Sequence, residues 1–291
     1  MYKSFAFGVL SAVLGFGADA SQTQDAKLVL PSTVGRENLP QIGSSPITLP
    51  FQLIGGMPYI EATIGNQHLK LLLDLGANME VVLAKADASK IGELTSGVST
   101  SYKTFDGTLH SSFRIPLKNV RIGGLYFPEI DAVGLPESGE SYVGAALLKN
   151  HLLALDYFKN EIRLYRTGDE HAMQQECEMA SFPLDFQNGI FQSYVWNGSR
   201  MLTVGFDSGA NFTVIRPSVL KLKVAPYQHG IQPEIYKFKM LKLGDVVVTP
   251  LAAALIEFVE PNVDAILGAN FFDQKVVCLD AEQHIGGIGR H

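Results

Sequence analysis

The sequence predicts an all-β protein made of two related lobes. Three observations carry this: an internal repeat, strand-like patterning ahead of each repeat, and a high density of turn residues. The repeat comes first, because a missed duplication misplaces the whole fold. Leu73-Asp74-Leu75-Gly76-Ala77-Asn78-Met79-Glu80-Val81-Val82-Leu83 aligns with Phe206-Asp207-Ser208-Gly209-Ala210-Asn211-Phe212-Thr213-Val214-Ile215-Arg216, identical at 5 of 11 positions. A second pair follows, in which Gly144 to Asp156 aligns without gaps to Gly268 to Asp280. Between the pairs each half holds a hairpin signal, Gly123-Gly124 in the first and Gly244-Asp245 in the second. Three features recurring in the same order mark a tandem duplication.

The local patterns are those of strands. Tyr59–Ile64 and Leu69–Leu73 flank a turn at Asn66, and Phe191–Trp196 and Met201–Phe206 flank Asn197-Gly198. Both pairs read as β-hairpins leading into an Asp. Gly 28 and Pro 14 supply the punctuation for many short strands. Helical signal is confined to Ala84–Ile91, Pro217–Leu222 and the segments just after Gly144 and Gly268. The expected organisation is a first lobe over 47–166, a linker over 167–182 and a second lobe over 183–291.

Composition bounds the function classes. The chain has 291 residues, 46% hydrophobic and only 18% charged, against roughly 25% charged in ordinary soluble domains. That excludes a disordered chain. Two lobes of about 120 residues can each bury a core. A formal net charge of −6 with no basic stripe excludes a nucleic-acid partner.

At the N-terminus, Lys3 precedes an uncharged run from Phe5 to Phe16, followed by Ala18-Asp19-Ala20. This reads as a secretory signal over residues 1–20, since the run is too short to span a hydrocarbon core of about 20 residues. No stable membrane anchor is expected. Residues 21–46, with Pro31, Pro40 and Pro46, read as a flexible leader or a pro-segment. The expected location is exported, periplasmic or secreted, with a bacterial periplasm favoured. Cys177 and Cys278 either pair in an oxidising compartment or remain free thiols.

An Asp closing an apolar strand is a poor place for a solvated charge. Leu71 to Leu73 before Asp74, and Val204 and Phe206 before Asp207, predict partly buried carboxyls at the centre of the molecule. Such groups are costly unless hydrogen-bonded or sharing a proton. The following Gly permits a close approach that a Cβ blocks. A duplication brings equivalent points together at a pseudo-axis, where two carboxyls cannot both ionise. The ionised member of such a pair is suited to act as a general base on water and the protonated one as a donor to a carbonyl.

Asp74-Leu75-Gly76-Ala77 and Asp207-Ser208-Gly209-Ala210 resemble the Asp-Thr/Ser-Gly loops of aspartic proteases. Val143-Gly144 and Ile266-Leu267-Gly268 resemble the hydrophobic-hydrophobic-Gly element that follows each loop. The resemblance is to the retropepsin-like group, with two halves fused in one chain as in pepsins, and covers most of 47–291. It implies a bilobal pseudo-dimer of two β-barrel lobes, catalytic Asp74 and Asp207, no cofactor and a peptide or protein substrate. It also implies a β-hairpin flap, assigned to the Tyr102–Thr108 stretch with Asp106-Gly107 at its tip. Tyr102 and Phe105 are candidates for substrate contact, an ordinary surface hairpin being the alternative. The nine extra residues between Asp74 and Gly144, 70 against 61 in the second half, favour a flap in the first lobe.

Two departures matter. Leu75 stands where the family has Thr or Ser, whose hydroxyls cross-link the two loops beneath the carboxyls. Ser208 can supply that bond on one side only. Ala77 and Ala210 replace the hydroxyl residues that lower carboxylate pKa values in the pepsin branch. This predicts a mildly acidic to near-neutral optimum. The seven His residues form no metal-binding spacing, so no metal is expected. Asp156 and Asp280 match each other but sit at strand ends, where structural roles are expected, and Asn78 and Asn211 are expected to hydrogen-bond local backbone. The predicted function is that of a monomeric exported aspartic endopeptidase. The alternative is a protease-like peptide-binding protein impaired by Leu75.

Overall fold

The computed structural model describes residues 13–14, 45–91, 99–104, 109–135, 139–177, 180–224, 232–258, 262–273 and 275–289, of which 13–14, 99–104, 109–110 and 180 are described by their backbone alone. It is mostly β. Short helices at Lys85–Ile91, Ala145–Leu148, Glu170–Glu176 and Ala269–Phe272 complete it. The two hairpins ahead of the Asp residues form where the alternation placed them, as Met57–Ile64 with Gln67–Asp74 and Ile190–Trp196 with Met201–Phe206.

In the first lobe the strand order runs Leu109–Ile122, Leu125–Gly134, Val81–Leu83, Tyr142–Gly144, Gln67–Asp74, Met57–Ile64. Met57–Ile64 then pairs back onto Leu109–Ile122, with Ala62 opposite Ile122, and closes a barrel. The second lobe uses the same core order: Leu251–Leu255, Val214–Ile215, Ala265–Leu267, Met201–Phe206, Ile190–Trp196. The two barrel-like sheets form the bilobal pseudo-dimer that the sequence repeat predicts. Leu71, Leu73, Val143, Phe206, Leu267 and Phe272 lie in one continuous buried core. Beneath the second loop this core is aromatic, with Phe206 edge-on to Phe271 at 5.9 Å. The equivalent positions of the first lobe are Leu73 and Leu147.

The lobes share a central sheet. His151–Asp156 pairs antiparallel with Val276–Asp280 in the register Leu152 to Asp280, Ala154 to Cys278 and Asp156 to Val276. Ala154 and Cys278 are equivalent in the repeat, so this pair is its own symmetry mate and marks a pseudo-two-fold axis. Symmetry of this kind is what an isologous dimer interface requires. The outer neighbours obey it too: Asp156 faces Glu161 and Asp280 faces Ile285.

Each lobe also begins with the same tight turn. Gly55 and Gly56 have φ of 62° and 87°, and Asn188 and Gly189 have 52° and 86°. Positive φ at both central residues is the hairpin turn that matches strand twist.

The segment 167–182 carries Glu170–Glu176, capped by Asp169 accepting from the Ala172 N–H at 2.9 Å. Its last residues pair with Ile285–Gly289. Cys177 and Cys278 form a disulfide between this segment and the axial strand. In the stretch expected to form a flap or an ordinary surface hairpin, Ser99–Thr104 and Leu109–Ile122 pair as a hairpin in which Tyr102 lies opposite His110. Phe105, Asp106 and Gly107 lie outside the described residues. So do residues 1–46, the stretch expected to hold a signal and leader, except Val13–Leu14, which pairs with Thr104 and Lys103, and residues 45–46.

Candidate active site

Each Asp is delivered by the buried end of a strand. Gln67–Asp74 runs parallel to Tyr142–Gly144, with Asp74 opposite Gly144. Met201–Phe206 runs parallel to Ala265–Leu267, and the Asp207 N–H donates to the Leu267 carbonyl at 3.0 Å. The chain can cross tightly there only because a glycine follows. A Cβ on Gly144 would lie 2.0 Å from the Met79 carbonyl oxygen, and one on Gly268 would lie 2.5 Å from the Phe212 carbonyl carbon. The next residues bind the same loops, Ala145 N–H to the Ala77 carbonyl at 3.0 Å and Ala269 N–H to the Ala210 carbonyl at 2.8 Å. The hydrophobic-hydrophobic-Gly elements thus act as floors on which the Asp loops rest.

The two loops meet across the axis. A Cβ on Gly76 would stand 2.5 Å from the Asp207 Cγ, and one on Gly209 would stand 2.6 Å from the Asp74 Cγ. Each carboxyl therefore occupies the space left by the other loop's glycine. Asp74 is 0% exposed and Asp207 2%. Their Oδ2 atoms have no hydrogen-bond partner among the described residues, yet the two side chains are close enough to bond to each other. Two carboxylates cannot do so. One proton between them can.

The surroundings decide which member keeps that proton. Asp207 Oδ1 accepts from the Gly209 N–H at 2.8 Å and the Ala210 N–H at 3.0 Å. Asp74 Oδ1 accepts from the Gly76 N–H at 2.9 Å, while the Ala77 N–H bonds the Asp74 main-chain carbonyl at 3.2 Å. Burial raises both pKa values. Asp74 is held well above the carboxylate range, first by burial and then by the Asp207 charge. Backbone N–H groups oppose the rise at both, Gly76 and Ala77 at Asp74 and Ala210, Gly209 and Gly76 at Asp207, and at Asp207 the hydrogen bond from Asp74 opposes it further. The geometry favours a protonated Asp74 beside an ionised Asp207.

Beneath the pair, the Ser208 hydroxyl donates to the Leu73 carbonyl at 2.7 Å and accepts from the Leu75 N–H at 3.1 Å. This is one arm of the cross-link the resemblance implies. Leu75 is fully buried and has no hydroxyl to return the bond, so the cross-link is one-sided. Leu75 instead joins the apolar core.

Two further residues of the region were not singled out as site residues in the sequence. The Asn78 side chain fills the space beside Gly189, where a Cβ would fall 1.8 Å from its Cγ. Asn78 thus touches the first turn of the opposite lobe. Asn211 Oδ1 is buried without a hydrogen-bond partner among the described residues. The Asn188-Gly189 turn signal, mirrored by Gly55-Gly56, was there to be read in the sequence. Tyr157, packed on Phe272 at 5.4 Å, has its pKa raised well above the usual phenol value, first by burial and then by the Asp207 charge. It stays neutral. Asp156 and Asp280 cap turns as expected, Asp156 accepting from the Lys159 N–H at 2.9 Å and Asp280 from the Gly168 N–H at 2.8 Å.

A surface groove of about 450 Å³ in the second lobe, at Val246, Pro250 and Lys275, is lined by none of the site residues. Among the described residues no cluster of three or more His, Cys, Asp or Glu side chains could hold a metal.

A family model described as "Aspartyl protease" matches residues 60–148, the stretch from the first hairpin through Asp74 to the helix after Gly144. A solved retropepsin-like aspartic protease from Rickettsia conorii is 26% identical, over 41% of this chain and 89% of that one, with a TM-score of 0.31. No curated relative matches. The family match thus lies on the first lobe, where the chain is similar to aspartyl proteases, and the second lobe repeats the same Asp loop.

Proposed function

We propose that the protein is an exported aspartic endopeptidase in which Asp74 and Asp207 activate one water. The observation that carries this is the unequal pair: two buried carboxyls, each against the other loop's glycine, with more backbone donors on one than on the other. Asp207 as carboxylate takes a proton from water while the water oxygen attacks the peptide carbonyl carbon. Asp74 gives its proton to the carbonyl oxygen. The resulting diol collapses as its C–N bond breaks: the nitrogen takes the proton now held by Asp207, and a diol hydroxyl returns a proton to Asp74, which restores both groups. No covalent enzyme intermediate forms. An extended substrate adds its backbone to the cleft in the manner of an extra strand. Asp74, Asp207 and the loop residues Leu75, Gly76, Ala77, Ser208, Gly209 and Ala210, with Gly144 and Gly268, make up the machinery.

Export is supported by the basic start and apolar run before Ala20 and by the Cys177–Cys278 disulfide, which suits an oxidising compartment. Ala77 and Ala210 add no hydroxyl donor to the carboxyls, and burial raises both, which favours an optimum above that of a strongly acidic enzyme. Leu75 favours the second reading, a peptide binder that keeps the cleft without turnover.

Cleavage of an unbiased peptide mixture from pH 3 to 8 separates these. Turnover should be present in the parent and absent in Asp74→Ala and Asp207→Ala. Turnover surviving either substitution would refute the dyad, and peptide binding without turnover in the parent would establish the second reading. Leu75→Thr should raise turnover or stability by restoring the second arm of the cross-link. If it raises neither, Leu75 has not slowed the site.

A further inference from the structure

The duplication provides an internal control for every surface position. On the outward face of the first-lobe hairpin stand Glu61, Thr63, His68 and Lys70. Lys70 pairs with Glu61 at 3.8 Å, and Thr63 contacts His68 at 3.4 Å. The equivalent positions of the second lobe hold Tyr194, Trp196, Met201 and Thr203. Trp196 lies opposite Met201 on one side and Lys242 on the other, and Lys242 lies opposite Val247. Since cross-strand partners share a face, Met201, Trp196, Lys242 and Val247 form a row across four strands. Tyr194 and Met240 flank it two residues along their own chain segments. Exposure along the patch is 55% for Met201, 47% for Val247, 43% for Tyr194 and Met240, and 38% for Trp196. The fold does not require this surface, because the sister lobe builds the same face from charged and polar groups.

Its charge identifies the occupant. Exposed Arg200 and Lys239 adjoin Met201 and Met240 in the chain, and Lys242 stands in the row opposite Trp196, while the acids nearby are Asp245 in the adjoining turn and Asp264 bonded to the Thr203 N–H. The chain as a whole carries −6. To a second copy the five apolar side chains, between 38% and 55% exposed, offer on the order of 450 Å², well short of the roughly 800 Å² per partner of a stable protein interface. Aromatic and Met side chains with three cations beside them instead suit the headgroup layer of an anionic bilayer, where shallow apolar insertion and charge attraction add.

We propose that the Tyr194–Trp196–Met201–Met240–Val247 face docks the second lobe reversibly on an anionic phospholipid surface. The patch residues are none of those assigned to catalysis, so docking would place the cleft near a membrane without changing its chemistry.

Trp196 is the sole tryptophan and therefore reports from inside the patch. The full chain is mixed with phosphatidylglycerol vesicles and, separately, with phosphatidylcholine vesicles, and tryptophan emission and co-sedimentation are followed. With the anionic vesicles emission should shift to the blue and be quenched by brominated lipid, and added salt should reverse both. Met201→Glu with Val247→Glu, and separately Arg200→Glu with Lys242→Glu, should each weaken partitioning by roughly tenfold or more while peptide binding or turnover stays at the parent level. Co-sedimentation with Trp196 emission unchanged would place the contact on the apolar Phe5–Phe16 run and overturn the proposal. A blue shift that follows protein concentration without vesicles would assign the patch to self-association and overturn it equally. So would indifference of both variants.

Discussion

Gly76 and Gly209 do the work that fixes the chemistry, although neither carries a functional group. Each leaves the space that the other loop's carboxyl fills, at 2.5 and 2.6 Å from an added Cβ. Gly76→Ala or Gly209→Ala should leave the fold in place but push one carboxyl off the axis. A displacement of about 1 Å at a reacting centre costs on the order of a hundredfold in rate. Circular dichroism unchanged beside kcat/KM near the parent value would show that the contact does not position the pair. Ser208 is the complementary case. Ser208→Ala strands the Leu73 carbonyl and the Leu75 N–H in a buried setting and should cost roughly 1–3 kcal/mol. Urea denaturation is the measurement, and a loss under about 0.5 kcal/mol would mean the one-sided cross-link is dispensable.

At the scale of the elements, the loop, its parallel floor strand and the short helix that follows form a unit present twice. Much of this was legible in the sequence because the residues that build it are punctuation: Asp and Gly in the loop, Gly144 and Gly268 at the floor. These have steric reasons to recur. What could not be read is packing between elements. Nothing local to Asn78 announces that its side chain will fill the space beside Gly189, and the choice between paired and free cysteines depended on where a linker segment comes to lie. That segment folds back as Glu170–Glu176, with Glu176 bonded to Arg163 Nε at 2.7 Å and to Arg163 Nη2, and Arg163 Nη2 held by Asp156 at 3.2 Å. The disulfide closes across a sequence separation of 101, for which the chain-entropy model gives about 4–5 kcal/mol. Removing it in Cys177→Ser with Cys278→Ala should lower unfolding stability by about that amount. A change below about 1 kcal/mol would mean that the ion-paired helix holds the segment unaided.

For the molecule as a whole, the lobes meet at a sheet whose register is self-symmetric about Ala154 and Cys278, and the carboxyl pair lies across the same pseudo-axis. Burying two acids there has a cost in stability that depends on pH. Both folded pKa values are raised, so between the unfolded carboxylate range and the folded value the native state binds more protons than the unfolded chain. Its stability contribution is therefore complete below about pH 4 and is lost as pH rises through the folded pKa, by up to about 1.4 kcal/mol per pH unit per proton. Asp87 and Glu176 act oppositely. Lys90 and Ser141 hold Asp87 below the usual range, and Arg163 and Tyr165 do the same for Glu176, so their contribution is lost as pH falls through those lowered values. The two effects separate by difference. Asp74→Asn removes the proton the pair must keep and leaves Asp87 and Glu176 untouched. Its stability relative to the parent should rise steadily from pH 4 to pH 7, measured as the difference in urea midpoints. Parallel curves for the two proteins would mean that the acids are not raised in the native state. The assignment of Asp74 as proton donor would then fail with them.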